Sequence, residues 1–379
     1  METEVWILGG AGRAGRAIAA ELARRGVAPV LVGRDSARLA QAAAQVTDAA
    51  GRGAPGVTLT AGSVEAMAVA IRERRPAVVI NTVGPFAETA VPLALACLPA
   101  SHYLDLANDL AAVSALLALH EEAASAGRTL VTGAGFGVTS TESVVVALCA
   151  GHPAPRRVRT DMVPSLAVEA GTIGTALAGS LLQGLPGVPG GGRYSGRRYA
   201  GGRLRAAPFG GDPARLTLPD GTRVTTVGTP LGELLAAQRA SGAPEVIAAT
   251  SELPSSPVFR AVMPVAGALL SIGPVRSFAI RSMAQVKVKA RERPREHSWG
   301  HARVEWPDGT AAEGWLRVGE ATVFTGAVAA EAARRLLAGE GRPGAYTPAA
   351  LFGPTLAEAC GGEYQLAQQP LRPTKVSKQ

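Results

Sequence analysis

The chain has 379 residues, 47% hydrophobic and 18% charged, with a formal net charge of +8. These values exclude a disordered chain, and the length allows two domains, since single cores rarely grow past roughly 250–300 residues. Arginine carries almost all of the excess charge. Its one dense cluster (Arg193, Arg197, Arg198, Arg203, Arg205) sits among glycines and two tyrosines, so no nucleic-acid partner is expected.

In chain order, the acidic start Met1–Glu4 runs straight into a strand at Glu4–Leu8, without the basic and apolar stretches of a secretory signal. Arg13–Arg25 has helical spacing, Pro29–Val32 is a strand and Asp35–Val46 a helix. The unit repeats as Val57–Thr60, Val64–Arg74, Ala77–Asn81 and Ala87–Leu98. Tyr103–Leu106 and Thr129–Thr132 are strands around one helix, Ala111–Ala126. Short Val/Ile/Leu strands alternating with helices predict an α/β fold, a doubly wound parallel Rossmann sheet over residues 1–150.

The rhythm then changes. Glycine and proline crowd Gly184–Gly192 and Gly201–Pro213, and the arginine cluster there reads first as a solvated loop and second as a contact for an anionic partner. Val158–Val163, Arg223–Thr226, Met283–Val288 and Ala302–Trp306 are strand-like, and Pro307–Thr310 turns the chain into Ala311–Val318. This predicts a second α+β domain over residues 151–344 with an antiparallel sheet. Ala261–Val275 is the longest apolar run, too short and too broken to span a bilayer, and reads as a buried or pocket-lining helix. Helices follow at Ala327–Ala338 and near Pro348–Ala359. Cys97, Cys149 and Cys360 form neither a disulfide framework nor a zinc pattern, which suits a reducing cytoplasm.

Gly10-Ala11-Gly12-Arg13-Ala14-Gly15 fits the dinucleotide pattern Gly-x-Gly-x-x-Gly, and it lies where the mechanism needs it, after the first strand and at the start of the first helix. Gly10 permits the tight turn, Gly12 the approach of a pyrophosphate, and Gly15 close helix–strand packing. The second strand closes on Gly33-Arg34-Asp35-Ser36-Ala37-Arg38. An arginine at this position pairs with a ribose 2′-phosphate, with Ser36 and Arg38 as further donors, so NADP(H) is expected over NAD(H). Asp35 reads either as a ribose contact or as a helix cap. Asn81-Thr82-Val83-Gly84-Pro85-Phe86 closes the fourth strand, on the edge where the nicotinamide half lies in this fold.

These segments, with His102-Tyr103-Leu104-Asp105-Leu106, Gly135-Phe136, Glu169-Ala170-Gly171-Thr172 and Tyr346-Thr347-Pro348-Ala349, resemble the saccharopine dehydrogenase-like superfamily, including bacterial trans-acting enoyl reductases. The resemblance implies that C-terminal helices near 345–370 return to the nucleotide domain. It also implies a homodimer formed through the second domain's sheet. The chain departs from the pattern at Asn108-Asp109, where the family has Gly-Glu. It departs again at Gly135-Phe136-Gly137 with Ser140-Thr141-Glu142, where the family has Gly-Phe-Asp and Pro-Ser-Asp.

Reduction of C=C or C=N needs a hydride from the cofactor and a nearby proton donor. Tyr103, Asp105 and Asp109 fall at the end of the fifth strand, and Asp105 or Asp109 is the expected proton carrier or substrate anchor. For Asp105 a structural turn bond is an equal reading. Thr172, ahead of an apolar segment, either caps a helix or binds substrate. His297 and His301 share a strand face without a third ligand, so no metal is expected. Short-chain dehydrogenase chemistry needs Tyr-x-x-x-Lys, and no lysine precedes position 287.

The expectation is an NADPH-dependent reductase acting on a small-molecule or carrier-bound intermediate. The apolar stretches Gly171–Leu185 and Ala261–Ile272 favour an acyl or polyketide-like body over a saccharopine-type amino acid. A non-catalytic NADP-sensing protein and a lipid-surface protein are the rivals.

Overall fold

Four wholly buried residues, Val5–Leu8 (β1), form the centre of the first sheet. The computed structural model describes residues 4–50, 57–167, 171–172, 196–270, 272–290 and 292–367. After β1 come α1 (Arg13–Arg24), β2 (Pro29–Gly33), α2 (Ser36–Ala50), β3 (Val57–Thr60), α3 (Val64–Arg74), β4 (Val78–Asn81), α4 (Phe86–Cys97) and β5 (His102–Asp105). Then come α5 (Leu110–Leu117), α6 (His120–Ser125), β6 (Thr129–Val131) and α7 (Phe136–Cys149). Strands β3-β2-β1-β4-β5-β6 pair in parallel, so the order reverses between β1 and β4, the switch point of a Rossmann sheet.

The second half holds β7 (Arg157–Val163), β8 (Gly171–Thr172), β9 (Gly196–Ala200), β10 (Arg203–Ala207), β11 (Ala214–Thr217), β12 (Arg223–Gly228), α8 (Glu233–Ser241), β13 (Glu245–Thr250), α9 (Pro257–Leu270), α10 (Gly273–Ala284), β14 (Lys287–Val288), β15 (Ser298–Glu305) and β16 (Ala311–Val318). It closes with α11 (Ala321–Leu337), β17 (Gly344–Tyr346), α12 (Pro348–Phe352), α13 (Thr355–Ala359) and β18 (Glu363–Ala367). Its main sheet runs β10-β9-β13-β7-β15-β16-β18, antiparallel except for β13–β7, with the β11–β12 hairpin attached through β13. The chain returns to the first sheet through β17, which pairs with β6, while β18 extends the second sheet. The return begins at α11, which lies in the stretch read as second domain. Gly326 of α11 sits where a Cβ would be 3.2 Å from the Ala17 backbone of α1.

Several sequence expectations need correction. The helix expected at Ala111–Ala126 is two helices, because the chain tightens at Ala118–Leu119. That turn brings His120 to β17, where its Nδ1 accepts from the Ala345 amide at 3.1 Å. Met283 and Ala284 end α10, leaving a strand at Lys287–Val288 alone, because Pro274 in the first turn starts a helix that runs through the alternating apolar positions. The arginine cluster is a hairpin rather than a loop: Arg197 and Arg198 lie in β9, Arg203 and Arg205 in β10. Arg193 and Gly184–Gly192 lie outside the described residues. The Ala261–Val275 run is not buried, and Val262, Val265, Leu269 and Ile272 are exposed on α9 and just beyond it.

On the second sheet, Asp161 is fully buried and accepts from Arg159 Nε at 3.0 Å and Thr226 Oγ1 at 2.6 Å. His301 bridges it at 2.9 Å and reaches Glu313, also at 2.9 Å. His301 is therefore part of a charge network, and His297 lies outside β15. Among the described residues no cluster could hold a metal ion, and no helix is long and apolar enough to cross a membrane.

Candidate active site

The glycine loop turns because Gly9 adopts φ +78°, and the amides of Gly9 and Gly10 donate to the Val32 carbonyl at 2.8 and 3.1 Å. Two glycines are demanded by packing. A Cβ on Gly10 would stand 2.8 Å from Leu31 Cβ, and one on Gly15 would stand 2.8 Å from Gly10 Cα. Gly12 differs. Its φ of −76° suits any residue, and a Cβ there would meet the Gly9 carbonyl alone, at 3.1 Å. It caps α1 with no side-chain acceptor, so no capping side chain stands between the helix N-terminus and an anion. The cradle thus fits a pyrophosphate. Arg13 and Ala14 follow in the first turn, exposed and half-buried.

At the end of β2, Gly33 is buried and Arg34, Asp35, Ser36 and Arg38 are exposed. Asp35 Oδ1 accepts from the Arg38 amide at 3.0 Å, so its carboxylate is a helix cap for α2. Arg34 pairs with no carboxylate among the described residues. A groove of about 220 Å³ is lined by Ala11 of the glycine loop, Arg16 of α1, and Arg38, Gln41, Ala42 and Gln45 of α2. Guanidinium groups on an open rim suit a 2′-phosphate. We expect NADPH to bind at least tenfold more tightly than NADH, about 1.4 kcal/mol, and Arg34→Ala to erase that gap in a titration of both nucleotides. Equal affinities in the unmodified protein would refute the role of Arg34.

At the end of β4, Asn81 donates to Tyr103 OH at 3.0 Å and to Thr89 Oγ1 at 3.3 Å, and accepts from the Val83 amide at 2.9 Å. Thr82 Oγ1 donates to the Leu8 carbonyl at 2.7 Å. Gly84 and Pro85 lead into α4, which Phe86 starts. These bonds hold the β4 edge rigid beside β1.

Tyr103 and Asp105 are fully buried, and Tyr103 OH donates to Asp105 at 3.1 Å. Asp105 also accepts from the Ala107 amide at 3.0 Å, Thr132 Oγ1 at 2.9 Å and the Gly133 amide at 3.2 Å. Burial raises its pKa to about 6 against these bonds. Asp109 caps α5, accepting from the Ala112 amide at 2.8 Å, and burial raises its pKa as well. Thr172 is placed in β8, paired with Lys287 of β14, and residues 173–185 lie outside the described part.

The carboxyl edges of β5 and β6 open on a cavity of about 290 Å³. One side is Leu106, Ala107, Asn108 and the Gly133–Val138 turn. The other is Met162, Pro164, Leu166 and Glu252 from the second sheet, closed by Ala321, Thr322 and Thr325 of α11. Behind the wall, Glu233 lies at the start of α8 and is 2% exposed. The Asn108 amide, oriented with its nitrogen toward Glu233, donates to the two carboxyl oxygens at 2.8 and 3.1 Å. Burial raises the Glu233 pKa to about 7, and the carboxyl of Glu252 adds to the shift. Sequence reasoning singled out Asp109 and Asn108 but missed Glu233, Glu252 and Thr322. A glutamate opening a helix looks like ordinary dipole complementation, and the one signal was the missing side chain at Gly137.

Residues 5–131 match the family model described as the saccharopine dehydrogenase NADP-binding domain. The fold is similar to apo saccharopine dehydrogenase (L-Glu forming) from Saccharomyces cerevisiae, covering 96% of this chain and 100% of that chain at 12% identity, with a TM-score of 0.60. A short-chain dehydrogenase from Sphingobium yanoikuyae in complex with NADPH overlaps 34% of this chain and 70% of that chain (21% identity, TM-score 0.28). A bulky-bulky ketone specific alcohol dehydrogenase from Comamonas testosteroni overlaps 34% and 72% (15% identity, TM-score 0.30). Scores that low carry no argument. No curated protein sequence matches the chain. With the glycine cradle, the arginine rim and this domain, the chain is of the NADP(H)-dependent oxidoreductase class. Residues 5–131 are thus similar to the NADP-binding domain of saccharopine dehydrogenase, and NADP(H) is the cofactor.

Proposed function

We propose that the protein is an NADPH-dependent reductase that acts in the cavity between its two sheets on a conjugated C=C or C=N bond of a small-molecule or carrier-bound biosynthetic intermediate. The observation that carries this reading is the lining of that cavity. It lies at the carboxyl ends of β5 and β6, the edge where open α/β sheets place ligands, and it is largely apolar. No lysine or arginine is among its described lining residues, whereas a saccharopine-type substrate would need guanidinium partners for its carboxylates.

NADPH supplies the hydride, and the chain's own groups bind, orient and exclude water. Leu106, Phe136, Met162 and Leu166 cover an apolar body, while Asn108 and Thr322 offer polar contacts. Asp109, next to Asn108, is the candidate proton carrier for a C=C substrate. With an enoyl thioester, Asp109→Asn should lower kcat by about 10²–10⁴-fold with NADPH affinity unchanged. Melting should be unaffected, since Asn caps a helix as well as Asp. An unchanged kcat would leave Asp109 as a cap alone. The reading as a whole is tested by following NADPH oxidation with crotonyl-pantetheine and with dihydroisoquinoline. Oxidation with neither would favour a nucleotide-sensing protein.

A further inference from the structure

Eight of the thirteen large apolar side chains that stand exposed among the described residues lie between Val258 and Val286, on α9, α10 and the chain beside them. On α9 they form one stripe. Val258, Val262, Val265 and Leu269 follow at steps of four, three and four, which keeps them within about 60° of one another around the helix. Gly267, a buried residue of α9, falls on the opposite side of the helix from Val258. The stripe therefore points away from what the helix packs on. On α10, Val275 and Phe278 are exposed one turn apart, and the buried Ala284 falls opposite Val275. The two helices pack chiefly on each other, so their outer faces have no cover among the described residues. A contiguous apolar surface of this kind marks a contact with something outside the chain.

The charge of the segment says what that contact is. Between Glu252 and Glu292 the sequence holds no acidic residue and six basic ones: Arg260, Arg276, Arg281, Lys287, Lys289 and Arg291. Arg281, Lys287 and Lys289 are exposed, and Arg276 is half-buried. A two-fold contact sets a patch against itself, so a second copy of this face would bring cations against cations. The headgroup layer of an anionic bilayer meets both features. Its acyl boundary takes the stripe, and its phosphates take arginine and lysine heads carried on apolar stems. The fourteen residues of α9 and the twelve of α10 are about 21 and 18 Å long, short of the roughly 30 Å of a hydrocarbon core. They can lie on such a surface but not cross it.

We propose that the α9–α10 pair is a docking surface for a negatively charged lipid bilayer. The valine and leucine stripe of α9, with Val275 and Phe278 of α10, enters the headgroup boundary, and Arg281, Lys287 and Lys289 hold the phosphates around it. Binding is peripheral and reversible, because apolar area and charge each contribute a part and neither is large enough alone. This role is independent of the reaction carried out in the cavity between the sheets.

The test is flotation of the full chain with vesicles of phosphatidylcholine alone and with vesicles in which about a third of the lipid is phosphatidylglycerol. We expect binding to the anionic vesicles to be at least about tenfold tighter, and to weaken as salt is raised. Val265→Asp combined with Phe278→Asp should weaken it by about tenfold or more. Both side chains are exposed, so the melting temperature and NADPH affinity should not change. Lys287→Glu combined with Lys289→Glu should remove the preference for anionic lipid while leaving the apolar stripe intact. Flotation with neither vesicle, equal affinity for both, or binding indifferent to the double aspartate variant overturns the proposal. Sedimentation velocity addresses the rival occupant. A dimer that the aspartate variant dissociates, in a protein that does not float, would make this face a self-contact and overturn the proposal as well.

Discussion

Gly12→Val is expected to leave the protein folded and to raise the NADPH Kd by more than about 10³-fold, roughly 4 kcal/mol. The backbone at Gly12 (φ −76°, ψ 168°) accepts a side chain, and its Cβ crowds just one carbonyl oxygen at 3.1 Å. What the side chain fills is the open face above the first amides of α1, where the pyrophosphate must approach. Gly15→Val provides the contrast. Its Cβ would press into the Gly9 and Gly10 backbone from a helix already packed on β1, so this variant should lose its cooperative melt altogether. Nucleotide titration together with thermal melting separates the two. Wild-type affinity in Gly12→Val would mean that the cofactor does not use this loop.

The second large effect is expected in the other sheet. Asp161→Ala should destabilise the protein by about 3–5 kcal/mol, because it leaves the buried His301 and the half-buried Arg159 without their shared carboxylate. The pH dependence has two arms. Burial alone would raise the Asp161 pKa, but the His301 hydrogen bond and the Arg159 charge hold it at about 2, below its ordinary 3.8. Its contribution, about 2 kcal/mol, is complete above the ordinary value and is lost as pH falls through about 2. Burial alone would lower the His301 pKa, but the bonds to Asp161 and Glu313 raise it above 6.5. That contribution is complete below 6.5 and declines as pH rises through the folded value. Denaturant midpoints across pH should therefore peak between the two limits, with the acid arm missing in Asp161→Ala. An acid arm of the same size in the variant would refute this account.

The nucleotide sheet was legible because its signals are local. Val5–Leu8 and Val78–Asn81 are apolar runs ended by turns, as strands buried on both faces must be, and Gly12 and Arg34 sit at fixed offsets from them. Helix α7 was not legible. Eleven of its fourteen residues are buried, among them Thr139, Ser140, Thr141, Glu142 and Ser143, so no apolar stripe marks it. Ser140 and Thr141 bond back to the Gly137 carbonyl, and Glu142 is held by distant partners, Thr347 and the Ala349 amide. The cavity wall was half legible. Asn108 and Gly137 stood out as departures from a pattern, but the carboxyl that explains both comes from Glu233, ninety-six positions beyond Gly137. Nothing in a local window links such positions.

The late return of the chain to its first sheet sets a timetable for synthesis. The β6 edge is complete when Val131 has been made, yet its partner β17 starts at Gly344. Elongation at roughly 5–20 residues per second places roughly ten to forty seconds between the two. Through that interval a ribosome-bound chain presents an unpaired strand edge, and an α1 surface that α11 has yet to cover. The nucleotide-binding half, although encoded first, thus reaches its finished form after most of the substrate half has emerged. A nascent chain stalled before Gly344 should engage holding chaperones that one stalled well past Tyr346 releases.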